Sequence, residues 1–351
     1  MFRRKGMKGN YAYTVARVKA KKSLLLGEED YNKMLQMSVP EISRYISEFG
    51  YQKEINDLAG RVEGVNLVEY ATYSNMAKVF SSILGASQGE LHDMVSAYLC
   101  KWDIWNLKVI LRGKSYGLGA DGIRADLVPA GSLGAESLEK LIALDTNDDI
   151  IANYSRMTGM TIPADVMSEY KETENLGVIE DHLEKSRYNI LLSSIDPSSR
   201  PTKMFQDYVR SEIDIRNLKT ILKLKAEGIY GESVLKYVIP GGRRIDKKFA
   251  LQLANAETIA DASSDLQQLD CYDILKEFVE SENVPVRTVI SDMKRYEIAM
   301  AKKFSHMYPL SVVPVLDYMI HKEIECRNIR VVSRGIESGL DKEIIRGLLV
   351  I

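Results

Sequence analysis

The chain has 351 residues, 45% hydrophobic and 27% charged, with a formal net charge of −2. That apolar content is enough for a packed core, and the near-neutral balance gives no field to gather nucleic acid or an acidic partner. At about 150 residues per domain the length predicts two or three domains. The cysteines, Cys100, Cys271 and Cys326, lie far apart with no CxxC pair, which argues against a zinc site or redox dithiol and suits a reducing compartment.

Arg3, Arg4 and Lys5 open the chain, but no apolar segment follows, so the start does not read as a signal peptide. With Lys8, Arg17, Lys19, Lys21 and Lys22 they precede the first acid, Glu28. A solvated basic face accounts for them; attraction to an anionic membrane surface, about 1 kcal/mol per charge, is the functional alternative. Arg243-Arg244 with Lys247-Lys248 poses the same choice. Helical spacing is predicted over Glu41–Ser47, Glu69–Leu84, Gly89–Cys100, Ser137–Leu144, Glu180–Ser193 and Asp273–Val279. Residues 196–201, with two prolines, read as a loop. Strand alternation is scarce: Leu127-Val128 and Val238-Ile239, each ahead of a proline, are the recurring candidates. The apolar run Tyr308–Met319, broken by Pro309, Pro314 and Asp317, is too short to cross a bilayer.

The organising feature is an internal repeat. Around Asn106, Asn217 and Asn328, spaced 111 residues apart, the order is apolar, acid, apolar, any, Asn, aliphatic, base, any, aliphatic, any, base. The acids are Asp103, Asp214 and Glu325; the closing bases are Arg112, Lys223 and Arg334. Gly117, Gly228 and Gly339 follow each asparagine at a fixed distance, Pro129 and Pro240 recur, and so do Gly131 and Gly242. Upstream, Leu67-Val68-Glu69 matches Val178-Ile179-Glu180, and Ser81-Ser82-Ile83 matches Ser193-Ser194-Ile195 with one residue inserted. Apolar positions 104, 107 and 110, and their counterparts at 215, 218, 221 and 326, 329, 332, mark one helical face. The glycine that follows is a helix stop requiring positive φ. The expected fold is therefore all-α: three tandem, directly packed helical repeats, divided as residues 1–117, 118–228 and 229–351. Residues 15–19, followed by Leu24-Leu25-Leu26 and then residues 30–35, read as a degenerate motif helix. The expectation is that the two ends complete one unit between them and close the copies.

Gly113-Lys114-Ser115 lacks the earlier glycine of a phosphate-binding loop, since Lys108 stands there, and Gly117-Leu118-Gly119-Ala120-Asp121-Gly122 follows a helix where a dinucleotide site needs a strand. His92, His182, His306 and His321 form no metal or deaminase pattern. No catalytic, metal or cofactor residues are predicted. The asparagines are the unusual feature, because asparagine is a mediocre helix former. A buried amide bridging two helices of one unit is the structural account; a polar surface facing a partner is the functional one.

The opening Tyr11-Ala12-Tyr13-Thr14-Val15-Ala16-Arg17-Val18-Lys19-Ala20, the three motif helices and the ending Gly347-Leu348-Leu349-Val350-Ile351 resemble the C subunits of archaeal A-type ATP synthases, related to the d subunits of V-type ATPases. The resemblance spans essentially the whole chain. It implies a pseudo-threefold helical funnel, peripheral on the cytoplasmic face of the cell membrane. There it would couple the central shaft to the proteolipid rotor ring, with no nucleotide, no cofactor and no chemistry of its own. On this reading the recurrent acids and bases face the socket or the seams between subunits. The competing reading is a helical-repeat scaffold that binds some other protein.

Overall fold

The computed structural model describes residues 8–193, 196–256, 261, 263–280 and 285–351. Among them every regular element is a helix and no strand occurs, so the chain is all-α. Arg3, Arg4 and Lys5 of the basic start, and Ser194 and Ile195 of the serine match, lie outside the described residues. The described residues divide into two compact units, one drawn from Met1–Leu183 with Val315–Ile351 and the other from Glu184–Pro314.

Three long-helix pairs carry the motif. Gly64–Ala86 precedes Gly89–Ser115, Leu176–Ser193 precedes Arg200–Ala226, and Val286–Met307 precedes Val313–Glu337. The second helix of each pair, 25 to 27 residues long, holds the motif. Its predicted apolar face is the buried one. Ile104, Leu107, Ile110 and Leu111 are buried in the first motif helix, Ile215, Leu218, Ile221 and Leu222 in the second, and Cys326, Ile329 and Val332 in the third. Each such side chain contributes about 1.5–3 kcal/mol on leaving water, far more than the propensity of the helix itself.

The three motif helices end alike. Gly117, Gly228 and Gly339 take φ of +69°, +79° and +66°. The residue after each glycine donates its N–H to a carbonyl five residues back, Leu118 to Gly113, Ile229 to Leu224 and Leu340 to Gly335, at 2.8 to 2.9 Å. Each glycine N–H returns to a carbonyl three residues earlier, on Lys114, Lys225 and Ile336. This double closure satisfies carbonyls that the helix end leaves open. A short helix follows each turn: Ala120–Arg124, Glu232–Leu235 and Lys342–Leu348.

Two expectations are corrected. Leu127-Val128 and Val238-Ile239 are not strands; the N–H groups of Leu127 and Val238 return to the carbonyls of Arg124 and Leu235, and Val128 and Ile239 pair with a side chain, described below. Residues 15–35 do not form a motif helix either. Helix Tyr11–Lys22 stops at Ser23, and a new helix, Glu28–Met34, begins at Gly27, whose N–H donates to the Asp30 carboxylate at 2.8 Å. That local cap restarts the chain where a motif helix would run on. Val39–Ile46 and Gln52–Leu58 follow. Tyr31, Met34, Leu35, Ile42, Ile46 and Tyr51 then share one buried apolar cluster with Ile329, Val332, Ile345 and Leu349. The start of the chain thus packs on the third motif helix.

Replacing Gly228 by alanine forces a β-carbon into the left-handed region, at about 1–2 kcal/mol. The expected order of thermal midpoints is wild type, then Gly228→Asn, then Gly228→Ala, read by circular dichroism.

Candidate functional site

Each recurrent asparagine is buried and does the same thing. Asn106 Nδ2 donates to the Val128 carbonyl and Asn106 Oδ1 accepts the Val128 N–H, both at 2.7 Å. Asn217 treats Ile239 likewise at 2.8 and 2.8 Å. Asn328 pairs with Val350 at 2.8 and 3.1 Å. The expected amide between two helices is instead an amide between a helix and an extended backbone. The reason is geometric: a primary amide presents one donor and one acceptor side by side, as a backbone peptide does. It can therefore satisfy both polar groups of one residue in the connecting segment, groups that burial would otherwise leave unpaired.

One turn before each asparagine stands the acid, which in the first two copies caps the same connection. Asp103 accepts the N–H groups of Ser132 and Leu133 and the Ser132 hydroxyl, all at 2.9 Å. Asp214 accepts the N–H groups of Arg244 and Ile245 at 2.8 and 2.9 Å. Gly131 and Gly242 serve this approach, because a β-carbon on either would overlap the carboxylate. Glu325 accepts the N–H of Leu26 at 2.9 Å and the Tyr51 hydroxyl at 2.6 Å, with the Lys322 ammonium also at 2.6 Å. Asp103, Asp214 and Glu325 are 2%, 9% and 2% exposed. Burial therefore excludes the expectation that the acids face a socket. Burial pushes the carboxyls of Asp103 and Asp214 above the usual carboxylate range, against the pull of the backbone N–H groups.

The bases lie on the outer flank and reach the long helix that opens the next motif's pair. Arg112 grips Glu180 with two bonds of 2.6 Å. Arg334 grips Glu69 at 2.8 and 2.6 Å, with Arg330 adding a bond at 3.2 Å. In the second copy Lys223 is exposed, and the base that pairs is Lys219, one turn earlier, bonded to Glu297 at 2.6 Å. The recurrence of Glu69 and Glu180 was visible in the sequence; that they receive the motif bases was not. Lys322 and Tyr51 carried no recurrence and could not be found that way.

The glycine motifs take their structural places. Gly113-Lys114-Ser115 closes a helix at its C-terminal end, where the helix dipole repels phosphate, and Gly117 belongs to the helix stop.

Replacing Asn217 by leucine leaves the buried Ile239 N–H and carbonyl unpaired. The expected cost is about 2–5 kcal/mol, seen as a fall in the urea midpoint. A second test is in pH. Burial raises the Glu69 carboxyl, but Arg334 and Arg330 outweigh it and hold the group below its ordinary 4.5. A carboxyl depressed by folding contributes stability that is present above its unfolded pKa and is lost as pH falls through its folded one. Stability should therefore drop as pH is lowered below about 4.5, and Glu69→Gln should lack that component. Asp103 and Asp214, raised by burial, act in the opposite sense, so the quantity to read is the difference between the two proteins across the titration.

The profile of the ATP synthase (C/AC39) subunit family matches residues 14–348. The chain is similar to the C subunit of the A-type ATP synthase of Methanococcoides burtonii, at 35% identity over 99% of this chain and 96% of that protein. It is similar to the C subunit from Methanosarcina barkeri at 34%, covering 99% and 95%, and to that from Archaeoglobus fulgidus at 35%, covering 99% and 98%. A match from the first helix to the last, with all three recurrent asparagines inside it, means that the chain belongs to the ATP synthase (C/AC39) subunit family and is a structural, not a catalytic, subunit.

Proposed function

We propose that the chain is a central-stalk subunit of an A-type rotary ATP synthase, a socket that couples the central shaft to the membrane proteolipid ring during ion-driven synthesis. It is held peripherally on the cytoplasmic face by those partners. Among the described residues no helix is long and apolar enough to cross a membrane.

Beyond family membership, the observation that supports a coupling role is the order of the ion pairs. The first motif helix is tied to the helix before the second motif through Arg112 and Glu180. The second is tied to the helix before the third through Lys219 and Glu297. The third is tied to the helix before the first through Arg334 and Glu69. A part that transmits torque must resist shear between neighbouring helices, and ties from each motif helix to the opening helix of another pair supply that resistance. The buried amide and carboxylate nodes stiffen each connection further, since a satisfied buried polar network has one low-energy arrangement.

The test is affinity capture of the tagged full chain from detergent-solubilised native membranes. Shaft and proteolipid subunits are expected in the eluate and absent from a capture lacking this chain. Recovery of unrelated soluble proteins alone would overturn the coupling role in favour of a general helical scaffold.

A further inference from the structure

We infer that residues 26–58 are the second half of the third copy, docked without a covalent link, and that Glu325, Lys322 and Tyr51 form the binding site that holds them there. In the first copy the motif helix binds Val128 through its asparagine and Leu133 through its acid, two residues joined by a short stretch of chain. In the second it binds Ile239 and Ile245 in the same way. In the third, Asn328 binds Val350 and Glu325 binds the N–H of Leu26. Leu26 therefore stands where Leu133 and Ile245 stand.

The correspondence continues along the chain. Gly27, Gly134 and Asp246 come next, and each is the N-cap of a helix: Glu28–Met34, Ala135–Ile142 and Lys247–Asn255. The buried positions of those helices coincide: Tyr31, Met34 and Leu35; Leu138, Leu141 and Ile142; Ala250, Leu253 and Ala254. Ser38 then opens Val39–Ile46 as Thr146 opens Asn147–Thr158, with an acid three residues on in each case, Glu41 and Asp149. Ile42 and Ile46 are buried as Ile150 and Tyr154 are. The third copy thus runs from Val286 to the end of the described chain and resumes at Leu26. It is not the continuous block 229–351.

The chemistry of the site differs where a non-covalent joint requires it to. Asp103 and Asp214 grip loops of their own copy and are fed by consecutive backbone N–H groups. The third copy has the longer glutamate, which reaches a segment that no loop delivers. Where the first two copies have Cys100 and Ser211, the third has Lys322. Lys322, 5% exposed, donates to Glu325 Oε2 at 2.6 Å and to the Tyr51 hydroxyl at 2.8 Å, and that hydroxyl donates to Glu325 at 2.6 Å. A buried carboxylate short of N–H donors needs a paired cation; Lys322 supplies it, and Tyr51, at the far end of the docked segment, closes the clasp. Lys22 with Asp317 at 2.6 Å, Arg346 with Asn32 at 2.7 Å, and Lys342 with Gln36 fasten the rim.

The test uses the intact folded chain carrying a protease recognition sequence inserted in the exposed turn at residues 59–61. After cleavage the N-terminal piece is expected to co-elute with the remainder in size-exclusion chromatography at micromolar concentration. With Tyr51→Phe it should dissociate about tenfold faster or more, the effect of losing the hydroxyl's hydrogen bonds to Glu325 and Lys322. Asp214→Asn, in a copy whose loop is covalent, should leave the release rate unchanged. In the uncut chain, Tyr51→Phe should lower hydrogen-exchange protection over 28–34 and not over 135–142. Prompt dissociation of the cut wild-type piece, or a Tyr51→Phe release rate equal to wild type, would overturn the inference.

Discussion

The two hydrogen bonds from one asparagine amide to one distant residue's backbone are the constraint on which this architecture rests. A motif helix can bury one face by hydrophobic pattern alone, but the segment that crosses that face has no helical partner for its own N–H and carbonyl. Asn106, Asn217 and Asn328 solve this by acting as a single residue of sheet. Because the donor and acceptor are fixed on one planar group, they set the position of the crossing segment along the helix as well as its distance from it. The acid one turn earlier then fixes the next few residues, and the direction of the following helix is determined.

This order of dependence explains why some substitutions between copies are tolerated and others are not found. The apolar face varies freely, from Ile104 to Cys326 and from Ile110 to Val332, because packing asks for volume and pattern. The base that pairs outward shifts by a turn, from Arg112 to Lys219, because a long flexible side chain can meet an acid from either place. The amide cannot vary: a hydroxyl lacks the paired geometry, and a carboxylate lacks the donor.

Much of this was legible in the sequence. The helical face of each motif, its glycine stop and the recurrence of the nodes followed from period and spacing, and helices predicted at 41–47, 69–84 and 180–193 lie within or close to those observed. What was not legible was the partner of each node. Asn217 is satisfied by a backbone 22 residues away, and no local pattern announces which backbone group will need an amide. The start of the chain was misread for a related reason. Residues 26–35 keep the spacing of 133–142 and not that of a motif helix, and a comparison centred on the motif looks on the wrong side of it. Glu325, longer than its counterparts, and Lys322, replacing a cysteine and a serine, were departures from the repeat whose meaning depends on a contact almost the length of the chain away.

In the first two copies the residue pinned by the asparagine is followed at once by proline, Pro129 and Pro240. Proline has no N–H to offer a neighbouring strand. An extended segment that pairs through one residue and then meets proline cannot lengthen its pairing into a ladder, with this chain or another. Among the described residues the crossing segments are non-helical backbone between helices, and so the natural seeds of intermolecular sheet. The same proline that ends the pairing thus guards the chain against aggregation while it folds.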